Sequence, residues 1–259
     1  MTLPKTIAIA SQKGGVAKTT TCFSLGGSLA EQGKSVLLID LDPQAHLTLS
    51  LGLHPEELRH TIRDAFLGNT SLLSVTRETG VPLLDLAPAN EGLSVLDKLL
   101  YGRPNYEFFL KNRLDSTNTD YYDVILIDSP PSFGTLMLNA LTAANLLIIP
   151  TQCEFYASRT LCYVLQLVHL IRQKTNPDLA YRVLITMFDR RNKISHVIRE
   201  QLERAFSSAL LETTIEVDTR LRESPAFGLP VTLYAPSTRG AAQYRALAQE
   251  LMNHVWQRP

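Results

Sequence analysis

The stretch Ser11-Gln-Lys-Gly-Gly-Val-Ala-Lys-Thr-Thr20 decides how the rest of the chain is read. It follows a short apolar run, Thr6-Ile-Ala-Ile-Ala10, and leads into a helical segment from Thr19 to Gln32. A strand, a glycine-bearing turn, a Lys-Thr pair and a helix start compose a phosphate-binding loop. In such a loop, backbone N–H groups and the helix dipole face an anion. Gly14, Gly15, Val16, Ala17 and Thr20 then wrap the phosphates, Lys18 reaches the β- and γ-phosphates, and the Thr19 hydroxyl ligates Mg²⁺. The usual template G-x-x-x-x-G-K-[ST] is broken at both glycines, because Gln12 holds the first place and Ala17 the second. In their stead the loop carries a second lysine, Lys13.

Working outward, apolar runs alternate with helical periodicity. Strands are expected at Thr6–Ala10, Ser35–Asp40, Leu83–Ala87, Asp123–Asp128, Leu146–Pro150, Arg182–Met187 and Thr214–Val217. Val36-Leu-Leu-Ile39, Val124-Ile-Leu-Ile127 and Leu146-Leu-Ile-Ile149 are apolar throughout, which suits a parallel sheet buried on both faces. The fold class is therefore α/β: a doubly wound, mainly parallel sheet with helices on both faces, of P-loop NTPase type. Gly33 is expected to end the first helix in a left-handed conformation. Asp115-Ser-Thr-Asn-Thr-Asp120 reads as a surface turn, and residues 1–259 read as one domain.

Composition narrows the function. The 259 residues are 45% hydrophobic and 19% charged, with 25 basic and 25 acidic side chains, so neither disorder nor a globally nucleic-acid-binding chain is indicated. Cys22, Cys153 and Cys162 form no C-x-x-C pair and lie in apolar stretches, as buried small hydrophobes of a reduced, cytoplasmic protein do. The start of the chain carries a lysine and a proline but no apolar signal-peptide core, and no apolar run reaches the roughly 18 residues of a membrane span.

Carboxylates gather where the sheet should open. One strand runs into Asp40-Leu-Asp-Pro-Gln44 and another into Asp128-Ser-Pro-Pro131. Ligands of open parallel sheets bind beyond the carboxyl ends of the strands, so the loop and the carboxylates Asp40, Asp42 and Asp128 fall on one edge. Carboxylates so placed hold Mg²⁺ indirectly or position a water.

On these residues the chain resembles the ParA/MinD class of deviant Walker-box ATPases, nearest the ParA/Soj partition branch. The carriers are Lys13-Gly-Gly-Val-Ala-Lys-Thr-Thr20, Asp40-Leu-Asp-Pro-Gln44 and Asp123-Val-Ile-Leu-Ile-Asp-Ser-Pro-Pro131. Pro150-Thr-Gln-Cys-Glu-Phe-Tyr-Ala157, Thr186-Met-Phe-Asp-Arg-Arg191 and Arg220-Leu-Arg-Glu-Ser-Pro-Ala-Phe-Gly228 extend the likeness over nearly the whole chain. The resemblance implies ATP and Mg²⁺ as cofactors, with Lys18 and Thr19 as above. It implies that Lys13 crosses to the partner's nucleotide in an ATP-sandwich homodimer and that Asp42 positions the attacking water. Asp40 and Asp128 become outer-shell Mg²⁺ carboxylates. Asp218 stands where the family has an Asn at the adenine end, but Glu216-Val217 replaces the family's Pro-Arg, which leaves the base preference open.

Between Arg182 and Arg222 eight basic residues face six acidic ones, a modest patch that a solvated helix face would also give. Resemblance points to Arg191 and Arg220, with Arg222 beside them, as contacts to non-specific double-stranded DNA, expected to be doubled in a dimer. The implied protein is nucleoid-associated and works with a ParB-like or cargo-adaptor partner through slow, partner-stimulated hydrolysis. A MinD-like membrane protein is the alternative, yet Arg239 to Trp256 carries one apolar stripe for a closing helix and no lysine-rich membrane face. An ATP-dependent metabolic enzyme of the same superfamily would need a second substrate constellation, and the six histidines are scattered.

Overall fold

The computed structural model describes residues 6–68, 70–116 and 121–254. Its strands are β1 (Thr6–Ile9), β2 (Val36–Asp40), β3 (Arg77–Glu78), β4 (Leu84–Ala87), β5 (Val124–Asp128), β6 (Leu146–Thr151), β7 (Ala180–Phe188) and β8 (Leu210–Glu216). They form one sheet in the order β3-β4-β2-β5-β1-β6-β7-β8. All pairings are parallel except β3 with β4. β3 was not foreseen: two residues carry no alternation to read, and the pairing exists only as an antiparallel fringe. The seven expected strands all appear; β7 and β8 are longer than expected, and in β8 the exposed or half-exposed polar residues Glu212 to Thr214 interrupt the apolar run.

The helices are α1 (Lys18–Glu31), α2 (His46–Ser50), α3 (Ile62–Leu67), α4 (Leu72–Val75), α5 (Leu93–Leu100), α6 (Phe109–Ser116), α7 (Thr135–Ala143), α8 (Ala157–Lys174), α9 (Lys193–Phe206), α10 (Thr219–Glu223), α11 (Val231–Tyr234) and α12 (Arg239–His254). Strand residues alternate between two cores. Ile7, Ile9, Leu38, Leu126 and Ile148 face the layer of α1 and α12, where Phe23, Leu25, Tyr244 and Leu247 are buried. Ala8, Leu37, Ile39, Ile127 and Ile149 face the layer that holds α3 and α5 to α9. No helix among the described residues is long and apolar enough to cross a membrane.

Close packing of α1 sets the site. A Cβ on Gly26 would press on Leu38 and Leu84, and one on Gly27 would overlap Pro230, so both positions let the helix lie against the sheet and the loop before α11. α1 ends as expected: Gly33 has φ +82, and the N–H groups of Gly33 and Lys34 return to the carbonyls of Ala30 and Leu29. The closing helix likewise packs on the sheet, burying Ala241, Tyr244, Leu247, Ala248 and Leu251; Val255 and Trp256 lie outside the described residues. Its Glu250 accepts from the N–H groups of Glu212 and Thr213, which closes the free edge of β8.

Two expectations are corrected. Asp115 and Ser116 are the last turn of α6 rather than part of a surface turn; residues 117–120 lie outside the described residues. Cys22 and Cys153 are buried, but Cys162 is exposed, because it sits on the outer face of α8 between the inward-facing Leu161 and Val164.

Candidate nucleotide site

The carboxyl ends of β1, β2 and β5 meet at one sheet edge. β1 delivers the loop to the start of α1, whose N-terminus has no side-chain cap and no acidic residue in its first turn, so its first amides are open to an anion. Ala17, just before the helix, adopts φ +64. This left-handed conformation favours glycine and costs an alanine about 1 kcal/mol. The loop thus tolerates the missing glycine with strain at Ala17 itself.

Lys18 is buried at 8% exposure, and its Nζ donates to the carbonyl of Lys13 at 3.2 Å. Burial lowers its pKa, opposed by the nearby Asp128 and Asp42 charges. The Thr19 hydroxyl donates to Asp128 Oδ2 at 2.6 Å. Asp40 and Asp128 are Cα partners across β2 and β5, and both are fully buried. Desolvation pushes the Asp40 carboxyl up to about 7 even though Asp42 N, Thr48 N and Thr48 Oγ1 all donate to it. Desolvation, then the neighbouring Asp40, holds Asp128 well above the usual carboxylate range. Asp42 accepts from the N–H of Gln44 and is 8% exposed at the mouth of the loop.

A divalent cation fits this corner. Asp128 Oδ1 is buried with no hydrogen-bond partner, next to the Thr19 hydroxyl, and the donors are all oxygens, as a hard cation requires. No group of three or more His, Cys, Asp or Glu among the described residues could hold a metal on its own. Mg²⁺ here would be held jointly by Thr19, these carboxylates and phosphate oxygens.

Beside the loop, on the β7 and β8 side, lies a cavity of about 240 Å³ with Ala17, Thr20, Met187, Ile215, Leu221 and Tyr244 among its walls. Asp218 lines it, while its carboxylate caps two helices: Oδ1 accepts from Arg220 N and Oδ2 from Gly240 N. Glu216 is buried and paired with Arg190 and Arg239.

Gln152 and Glu154, to which the sequence assigned no role, follow β6 at this same edge. Gln152 donates to the carbonyl of Gly15 and accepts from Lys13, and Glu154 is ion-paired with Lys13. Their place after an apolar strand was the available signal. Met187, with φ +52, carried none, since a strained backbone leaves no trace in residue type.

The basic cluster is largely paired. Arg191 binds Asp189, Arg199 binds Glu203, Arg220 binds Glu223, and Arg190 joins Glu216. Arg182, at 8% exposure on β7, is not part of a surface patch. Arg191 and Arg220 remain accessible, with side chains 88% and 51% exposed.

A family model described as an AAA domain matches residues 4–181. The chain is 39% identical to the sporulation initiation inhibitor protein Soj of Bacillus subtilis, over 95% of this chain and 98% of that one. It is 38% identical to the chromosome partitioning protein ParA of Myxococcus xanthus, over 97% of this chain and 89% of that one. A crystal structure of cobyrinic acid a,c-diamide synthase from Mycobacterium smegmatis, with bound ADP and magnesium, superposes with a TM-score of 0.85 at 36% identity and covers 98% of this chain and 95% of that chain. The deviant loop in its structural setting and full-length likeness to Soj and ParA lead to one assignment: the chain belongs to the ParA/MinD family of deviant Walker-box ATPases, in its ParA/Soj branch.

Proposed function

We propose that this chain is a Mg²⁺-dependent ATPase that dimerises on ATP, binds DNA without sequence preference as the dimer, and lets go after partner-stimulated hydrolysis. The cycle would position a chromosome, a plasmid or another large cargo, in keeping with the partition role named for ParA of Myxococcus xanthus. Lys18 and the open amides of α1 hold the phosphates, Thr19 binds the cation, and Asp40 and Asp128 stand behind it. Asp42, at the mouth, orients the water that attacks the γ-phosphate.

The observation that carries the reading is the different exposure of the two loop lysines. Lys18 is buried, whereas the Lys13 side chain is 39% exposed. A cation so placed is suited to the phosphates of a second subunit, which makes the γ-phosphate part of the dimer contact. Arg191 and Arg220 would then contact DNA phosphates; their ion pairs are exposed and cost little to exchange.

Light scattering and phosphate release test the cycle together. Mg²⁺-ATP should double the mass, ADP should leave a monomer, and hydrolysis should restore it. An ATP-independent mass would contradict the switch. A second reading, ATP-dependent amidation, comes from the Mycobacterium smegmatis match. It requires turnover of a carboxylic acid substrate and indifference to DNA.

A further inference from the structure

We propose that Arg222 is part of the nucleobase subsite, where its guanidinium lies over a purine ring, and that it is not a DNA contact alongside Arg220. The inference rests on the nucleotide reading above and assigns the recognition of the base, which the sequence left open.

The first observation is position. Arg222 lines the cavity beside the phosphate loop, together with Met187 and Ala17. Its place there is fixed by Asp218, whose carboxylate holds the start of α10 and the start of α12 at once. Leu221, next to it in the chain, is buried and also lines the cavity.

The second is direction. Residues two apart on a helix point to nearly opposite sides, so Arg220 and Arg222 cannot present one surface to one DNA backbone. Arg220 is turned toward Glu223, leaving Arg222 for the cavity side.

The third is availability. Every other arginine at this end of the sheet is engaged: Arg190 and Arg239 by Glu216, Arg220 by Glu223. Among the described residues Arg222 has neither an ion pair nor a side-chain hydrogen bond. A planar cation at the rim of an apolar slot is suited to the π face of a base, and a purine offers the larger face. Asp218 is less suited to reading the base, because both of its oxygens already accept from backbone N–H groups.

Titration calorimetry with Mg²⁺ and ATP, UTP or inorganic tripolyphosphate tests this on the whole chain, as wild type, Arg222→Ala and Arg222→Lys. Arg222→Ala should weaken ATP roughly tenfold, narrow the preference for ATP over UTP and leave tripolyphosphate binding unchanged. Arg222→Lys should recover part of the ATP affinity. The salt dependence of DNA binding should match the wild type. Unchanged ATP affinity with weakened DNA binding would overturn the proposal, as would a parallel loss of tripolyphosphate. Wild-type protein that binds none of the three would instead sink the nucleotide reading, and this inference with it.

Discussion

Lys13 donates from Nζ to the carboxylate of Glu154 in its own chain, and Gln152 Oε1 accepts from the same ammonium at 3.2 Å. In the proposed sandwich dimer Lys13 would have to leave these intrachain partners before the two subunits could close. Glu154→Gln should lower the ATP concentration needed for dimerisation by about two- to fivefold, since an exposed ion pair is worth under about 1 kcal/mol. Lys13→Ala should weaken the ATP dimer by roughly ten- to a hundredfold while monomer nucleotide affinity changes little. Sedimentation equilibrium measures both, and a wild-type dimer constant in Lys13→Ala would refute the assignment.

Asp42 lies beside the loop without ligating anything in the structure but the N–H of Gln44. Asp42→Ala should bind ATP and dimerise normally while phosphate release falls by at least about a hundredfold, the scale for losing a group that positions the nucleophile. Loss of nucleotide binding in that variant would remove Asp42 from the chemistry.

Ala17 occupies a left-handed conformation that glycine takes freely. Ala17→Gly should stabilise the chain by about 1 kcal/mol. For a chain of this size that raises Tm by roughly 2–4 °C. Thermal unfolding decides the point, and a lowered Tm would mean that the strain at Ala17 is illusory.

Buried Asp40 and Asp128 give the nucleotide-free protein a pH signature. An unfolded aspartate releases its proton near 3.8, whereas folded Asp40 keeps it up to about 7. The folded state binds more protons in that window, so stability is full below 3.8 and is lost as pH rises through about 7. Asp128→Asn should flatten this slope, because one of the two facing charges is gone. Mg²⁺-ATP should flatten it in the wild type by neutralising both. Melting curves across the window check the sign; stability that rises from pH 4 to about 7 would contradict it.

Much of this was legible in the sequence, because apolar runs buried on both faces announce parallel strands and carboxylates follow them directly. The runs at Val36–Ile39 and Val124–Ile127 predicted β2 and β5 and a shared sheet edge for Asp40 and Asp128; that the two aspartates face each other across paired strands emerged only in the fold. What escaped depends on contacts between distant segments. Nothing near Lys13 in sequence points to Glu154, 141 residues away, and a count of arginines could not tell that Glu216 claims two of them. Cys162 was misread because α8 is apolar in composition on both faces, with Tyr163 and Leu170 also exposed.

The most direct test of the central claim is co-sedimentation with long random-sequence DNA in Mg²⁺-ATP and in Mg²⁺-ADP, with Arg191→Glu and Arg220→Glu alongside and anionic liposomes as the second surface. The account predicts that the wild type pellets with DNA in ATP and not in ADP, that both variants bind more weakly with a flatter salt dependence, and that liposomes bring down nothing. Binding to liposomes, or DNA binding that is equal in ATP and ADP, would contradict it.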